Sequence, residues 1–270
     1  MNYWQGKRAV VTGGSAGLGR AVADVLVDGG ARVAIVARRQ PLLEAAAGEL
    51  RARGGSALPV VADLTRPEDV SRLACEIRAA WGGVDLLCHC AGRSMRGSLL
   101  ETPPDEFRAL WETNYLSALL CTQQFAPALA ASRGHLVLIG SLASKAAAAY
   151  LGAYPASKFA LAALAQQLRL EVGPSLHVLL VCPGPIARSD GREPSARYAQ
   201  QAADLPEAAR RPGAGAKLRA IDPHWLARRI LRACESRQAE LVVPRRARLL
   251  FALSQLAPRA GDWLLRKMTT

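Results

Sequence analysis

Tyr154 and Lys158 stand four residues apart in Tyr154-Pro155-Ala156-Ser157-Lys158, a spacing that puts both side chains on one face of a helix. A free phenol ionises at about pH 10 and is a poor acid or base at neutral pH, but an ammonium beside it favours the phenolate. Such a pair suits proton transfer to and from a carbonyl oxygen. Upstream, Ser141 closes the predicted strand Leu138-Ile139-Gly140-Ser141, where an exposed hydroxyl can bond the same carbonyl. A Tyr and a Lys at this spacing are common by chance, so their meaning depends on what surrounds them.

What surrounds them begins at the first strand, which runs into Thr12-Gly13-Gly14-Ser15-Ala16-Gly17-Leu18-Gly19 and then a helix. Gly13, Gly17 and Gly19 permit a tight turn, close approach of backbone to a pyrophosphate, and close packing of helix on sheet, with the phosphates at the positive helix N-terminus. In sites that take NAD, an acid at the end of the second strand bonds the ribose hydroxyls. Here that strand ends Val36-Ala37-Arg38-Arg39. A guanidinium fork matches the charge and acceptors of a 2′-phosphate, so Arg38, helped by Arg39 and the Ser15 hydroxyl, favours NADP(H) over NAD(H).

The elements that must position these groups are legible as alternation. Residues 8–12, 32–37, 57–61, 84–89, 135–140, 177–181 and 240–243 read as seven strands, most without strict polar alternation, as expected when both faces are covered. Residues 18–28, 42–53, 68–81, 105–131, 154–172 and 223–235 have helical length and composition, with Thr65 and Asp222 as cap candidates before Pro67 and Pro223. The expected fold is α/β: a Rossmann-type, doubly wound, seven-stranded parallel sheet with helices on both faces, in a single catalytic domain over residues 1–243. The long irregular stretch 183–221, with a short helix expected at 195–203, reads as a substrate loop or lid. Residues 244–270 form a basic amphipathic C-terminal extension.

In combination, the phosphate turn, Asp63, Ala91-Gly92, Asn114, Ser141, the Tyr154/Lys158 pair and Pro183-Gly184 resemble the short-chain dehydrogenase/reductase family in order and spacing. The resemblance covers roughly residues 6–243. It implies that Tyr154 donates the proton, that Lys158 holds the nicotinamide ribose and lowers the tyrosine pKa, that Ser141 orients the carbonyl, and that Asn114 supports a water relay behind Lys158. It also implies that Asp63 and the Leu64 backbone contact the adenine, that Cys90, Ala91 and Gly92 lie along the cofactor, and that Pro183, Gly184 and Ile186 line the nicotinamide. Cys90 departs from the pattern, since an Asn there usually braces neighbouring strands. So does Arg188-Ser189, where a Thr commonly bonds the carboxamide. By resemblance, the chain should form a homodimer or homotetramer through the helices at 105–131 and 154–172.

Composition narrows the remaining classes. Half of the 270 residues are hydrophobic, mean hydropathy is only +0.08, and the start, Met1-Asn2-Tyr3-Trp4-Gln5, lacks the pattern of a signal peptide. The expectation is cytoplasmic. Cys75, Cys88, Cys90, Cys121, Cys182 and Cys234 lack paired metal-ligand spacings and are expected to be core residues, without disulfides or metal. In Cys88-His89-Cys90, strand alternation should point His89 away from both thiols. The net charge of +13 is concentrated after residue 190, and Arg outnumbers Lys 30 to 5. No nucleic acid is expected as a partner. The small apolar residues of 142–153 suggest a lipophilic ketone as substrate, with a 3-oxoacyl thioester on an acidic carrier protein, or a non-catalytic dinucleotide-binding regulator, as the alternatives. The extension carries six basic residues and Leu249, Leu250, Phe251, Leu253, Leu256, Trp263 and Leu265. It could cap the domain, meet a second subunit, or make peripheral contact with a membrane surface.

Overall fold

The computed structural model describes residues 2–187, 205–206 and 219–269. Its centre is one parallel sheet of seven strands: β1 (Arg8–Thr12), β2 (Arg32–Ala37), β3 (Ser56–Val61), β4 (Leu86–His89), β5 (His135–Ile139), β6 (His177–Pro183) and β7 (Glu240–Val243), in the order β3-β2-β1-β4-β5-β6-β7. The order reverses between β1 and β4, so the connections leave those two strands toward opposite sides and open a crevice at their carboxyl ends.

The strands are apolar on both faces because both are covered. In β1, Ala9 and Val11 enter one core layer with Leu26 of α1 (Gly17–Asp28), Leu43 of α2 (Gln40–Ala52) and Ile230 of α7 (Pro223–Glu235). Val10 enters the other, with Leu73 of α3 (Pro67–Trp81), Phe125 of α5 (Ser117–Ala131) and Leu161 of α6 (Tyr154–Val172). Each fully buried Leu or Phe contributes about 1.5–3 kcal/mol, so this double layer makes the strand ends a rigid platform.

Two local expectations are corrected. The single helix expected over 105–131 is interrupted: α4 (Pro104–Trp111) leads into a π-helical turn, Glu112–Leu116, before α5 begins. The wide turn swings the side chain of buried Asn114 onto the chain at Arg93, where its Oδ1 accepts from the backbone N–H at 2.8 Å and its Nδ2 donates to the carbonyl at 2.9 Å. Thr65 does not cap α3, whose N-cap is Arg66 without a side-chain bond. The Thr65 hydroxyl donates instead to Asp63 Oδ1, 2.8 Å away, a nearer acceptor. Asp222 caps α7 as expected, accepting from the Trp225 N–H at 2.6 Å.

Beyond β7, α8 (Ala247–Leu256) and α9 (Pro258–Thr269) form the extension. Phe251 is buried in the second core layer, whereas Leu249, Leu256 and Trp263 are exposed. Among the described residues, no helix is long and apolar enough to cross a membrane. Arg188-Ser189, the helix expected at 195–203 and most of the 183–221 loop lie outside the described residues.

Candidate active site

All seven strands end on the same side, and the chemically interesting residues follow those ends: Gly13 after β1, Arg38 after β2, Asp63 after β3, Ala91-Gly92 after β4, Ser141 after β5, Pro183-Gly184 at the end of β6. The glycine turn has the form its sequence suggests. Gly13 (φ +64°) presses on the backbone of Cys90-Ala91, where an added Cβ would come within 3.2 Å. Gly19 packs on the Gly13 carbonyl, where an added Cβ would stand at 2.4 Å. Gly17 (φ +55°) instead faces open space, and α1 starts behind it with no side-chain cap on its first-turn N–H groups. An uncapped helix start beneath an open, left-handed glycine is a cradle for phosphate. These residues fit a dinucleotide.

Lys158, on the first turns of α6, is buried, and its Nζ donates to the Ile139 carbonyl at 2.8 Å, at the end of β5. Burial lowers its pKa from 10.5 to about 8. The ammonium lies 5.8 Å from the Tyr154 ring centre, so the four-residue spacing does bring the pair together. Gly92 sits against both Asn114 and Lys158: a Cβ there would meet Asn114 Oδ1 at 3.0 Å and Lys158 Nζ at 3.5 Å. Asn114 Nδ2 also donates to Ser157 Oγ at 2.9 Å, which ties the π turn to α6 next to Lys158. Ser141 is not the last residue of a strand, as expected, but the cap of a short 3-10 turn, Leu142–Ser144. Its Oγ accepts from the Ala143 N–H at 3.1 Å, which leaves the hydroxyl proton to be donated outward.

Sequence reasoning missed the residues that brace this floor. Thr12 and His89 are register partners on β1 and β4. The buried Thr12 hydroxyl accepts from the Ala91 N–H at 3.1 Å and bonds His89 Nδ1 at 3.2 Å; His89 Nε2 bonds Ser117 Oγ at 3.2 Å, and Ser117 donates to the Thr113 carbonyl at 2.6 Å. One tautomer satisfies every atom: Thr12 donates to Nδ1, and Nε2–H donates to Ser117. Burial, then the Lys158 ammonium, pushes the His89 pKa down to about 3, so the ring is neutral. The brace expected to be lost with Cys90 is thus supplied one residue earlier. His89 points away from both thiols, as strand alternation requires, while Cys88 and Cys90 lie together on the other face with sulfurs 3.5 Å apart.

The nucleotide end is more open. Arg38 is 69% exposed at its side chain, with Nη1 3.9 Å from Asp63 Oδ2; Arg39, the next residue, is exposed and Ser15 half-buried. Leu18 and Leu64 turn their side chains into the core layers, leaving only backbone for a ligand. Ile186 pairs with Ile221 in an isolated parallel bridge beside Gly184.

A doubly wound sheet with a phosphate cradle at its switch point, and a Tyr/Lys/Ser group beside it, defines a dinucleotide-binding protein of the oxidoreductase class. Residues 7–198 match the short chain dehydrogenase family profile. The chain belongs to the short-chain dehydrogenase/reductase family. The ketoacyl reductase HetN of Nostoc sp. is 27% identical over 98% of this chain and 90% of its own. Dehydrogenase/reductase SDR family member 7B of Bos taurus is 35% identical over 68% of this chain, and the match spans only 59% of the bovine protein's length. The L-sorbose reductase of Gluconobacter frateurii, solved with NADPH and L-sorbose, superposes with a TM-score of 0.77 at 25% identity, covering 90% of this chain and 97% of that one.

Proposed function

We propose that the protein is an NADP(H)-dependent oxidoreductase that interconverts a ketone and a secondary alcohol, with a lipophilic ketone as substrate. The observation that carries the reading is the buried Lys158 ammonium 5.8 Å from the Tyr154 ring, with Gly92 and Asn114 beside it and its Nζ on the Ile139 carbonyl two residues before Ser141. The bound dinucleotide supplies hydride chemistry. The chain's own residues supply the proton and the geometry: Tyr154 gives its hydroxyl proton to the carbonyl oxygen, Ser141 orients that oxygen with its outward proton, and Lys158 favours the phenolate that results. Asn114, anchored at Arg93, keeps Lys158 and Gly92 in place.

Arg38 and Arg39 support the NADP(H) preference, because β2 is followed in the chain by these two arginines rather than an acid, and Asp63 lies 3.9 Å from Arg38 Nη1. The NADPH bound by the sorbose reductase is in line with this. Ala143, Ala148 and Leu151 form an apolar cluster with Tyr154, which supports a lipophilic substrate, as does the likeness to a ketoacyl reductase. A homo-oligomer is supported by the exposed Trp111 and Phe159 on α4 and α6, beside an apolar groove of about 300 Å³ lined by Phe107, Leu116 and Ala156.

Parallel fluorescence titrations with NADPH and NADH, followed by a panel of long-chain and cyclic ketones, test the proposal. NADPH should bind more tightly than NADH, and Arg38→Ala should remove most of that difference, about tenfold or more, for loss of a charge-assisted contact. Equal weakening of both dinucleotides would refute the phosphate role of Arg38. No turnover with any ketone in the panel would refute the lipophilic substrate.

A further inference from the structure

At the opposite end of the sheet from Tyr154, where β5 and β6 begin, His135 and His177 are register partners whose rings meet, and Cys234 of α7 reaches the same point. Each residue is buried, and one donor atom from each lies within 4.8 Å of the other two. The ring nitrogens that face each other are both Nδ1, 2.9 Å apart. Those that face outward already have oxygen partners: His177 Nε2 lies 2.8 Å from the Gln238 carbonyl, and His135 Nε2 lies 2.7 Å from the Tyr3 hydroxyl.

We infer that His135 Nδ1, His177 Nδ1 and Cys234 Sγ form a three-ligand site for Zn²⁺, independent of the proposed catalytic function. Two imidazoles and a thiolate are the donor set this borderline cation prefers, and metal-bound histidines commonly give their other N–H to a carbonyl or hydroxyl, as His177 does to Gln238. Zinc to nitrogen bonds of about 2.0–2.1 Å place two ligands of a tetrahedron about 3.3 Å apart, so the rings, whose Nδ1 atoms now aim at each other, must turn toward Cys234 Sγ as well as separate by a few tenths of an ångström. Burial holds both imidazoles neutral, the form that coordinates, with His135 pushed down to about 3, and it pushes the Cys234 thiol up, so the ion itself must displace that proton.

The proton balance is simple. Without metal, the Gln238 carbonyl requires a proton on His177 Nε2, so His177 Nδ1 is an acceptor, His135 Nδ1–H is its donor, and His135 Nε2 accepts from Tyr3. On binding, the His135 proton moves from Nδ1 to Nε2 and is donated to Tyr3 Oη, whose own proton turns outward. The Cys234 thiol loses its proton to solvent as the Zn–S bond forms, so one proton is released per metal. A water completes four coordination. Tyr3 is exposed and is the member of this chain of hydrogen bonds that meets solvent, while Trp4 beside it is buried against His135.

The test uses the full chain, stripped with a chelator, desalted and titrated with Zn²⁺ or Co²⁺. One equivalent of Zn²⁺ should be retained through a second desalting and raise Tm, and Co²⁺ should give a near-ultraviolet thiolate charge-transfer band. Cys234→Ala should lose the band and weaken Zn²⁺ by more than about a hundredfold, with only a small fall in metal-free Tm from the lost sulfur, and Tyr3→Phe should weaken it by about tenfold. No thiolate band in the wild type would overturn the site and leave a self-satisfied hydrogen-bonded chain. So would an unchanged band in Cys234→Ala, which would place the metal on another cysteine such as exposed Cys75.

Discussion

At the carboxyl ends of the strands, Lys158 uses one of its three donors on the Ile139 carbonyl, Ser141 uses its oxygen but not its proton, and Gly17 faces open space. At the amino ends of β5 and β6, Tyr3, His135 and His177 pass their protons along one line to the Gln238 carbonyl, with each of the named nitrogens paired. Both ends bury polar groups in a sheet with apolar faces, and both keep their histidines neutral. The difference is in surplus capacity. A site that must meet a reacting molecule retains donors that the fold does not consume, and it bears a stability cost for a buried ammonium. At the other end the metal-free chain balances its donors and acceptors within the fold, so a ligand there must displace a proton that the fold has already placed.

The largest expected effect separates the ends directly. Tyr154→Phe should reduce turnover about 10²–10⁴-fold while leaving the dinucleotide dissociation constant nearly unchanged, as read by steady-state kinetics beside a binding titration. Substantial residual activity would remove Tyr154 as the proton donor.

Lys158→Met sharpens the contrast in stability. With its pKa lowered from 10.5 to about 8, the folded protein without dinucleotide disfavours the charged amine, so the penalty is complete below pH 8 and is relieved as pH rises toward 10.5. Removing the charge should raise the urea midpoint at pH 7, by up to about 3 kcal/mol in free energy, with the gap closing by pH 10. A variant less stable than wild type at pH 7 would show that the ammonium is structurally needed.

His89→Leu should cost about 1–3 kcal/mol at pH 7.5, because the Thr12 hydroxyl is left buried without its acceptor. The sign is the same as for Lys158 but the window is lower: His89 titrates near 6.5 when unfolded and about 3 when folded, so wild-type stability is full above 6.5 and falls toward pH 3. The variant should show a shallower acid slope in urea titrations at pH 7.5 and 5. An identical slope would mean that His89 is not the neutral ring in the brace.

The smallest effect belongs to the far end. Tyr3→Phe, in chelator-treated protein, should lower stability by about 1 kcal/mol through loss of the bond to His135, with kcat and KM unchanged. A change in kcat would show that the two ends are coupled, and the contrast between them would fail.

The sequence alone carried the alternation of strands and helices, the glycine turn, the Tyr/Lys face of α6 and the absence of an acid after β2. These depend on periodicity, on backbone freedom at particular residues and on short spacings, all of which are local in the chain. It gave no hint that Asn114 lies in a π turn, since an extra residue in a helical turn leaves composition unchanged and is stabilised here by the distant backbone of Arg93. His89 was assigned its strand face but not its partners Thr12 and Ser117, because register between β1 and β4 joins residues 77 apart in the chain. His135 and His177, 42 apart, meet for the same reason, and Cys234 joins them only because α7 packs on the sheet. Local chemistry determined which elements form and which residues could react. Tertiary packing decided which polar atoms share a buried space, because burial removes water and makes each remaining donor find its acceptor in another part of the chain.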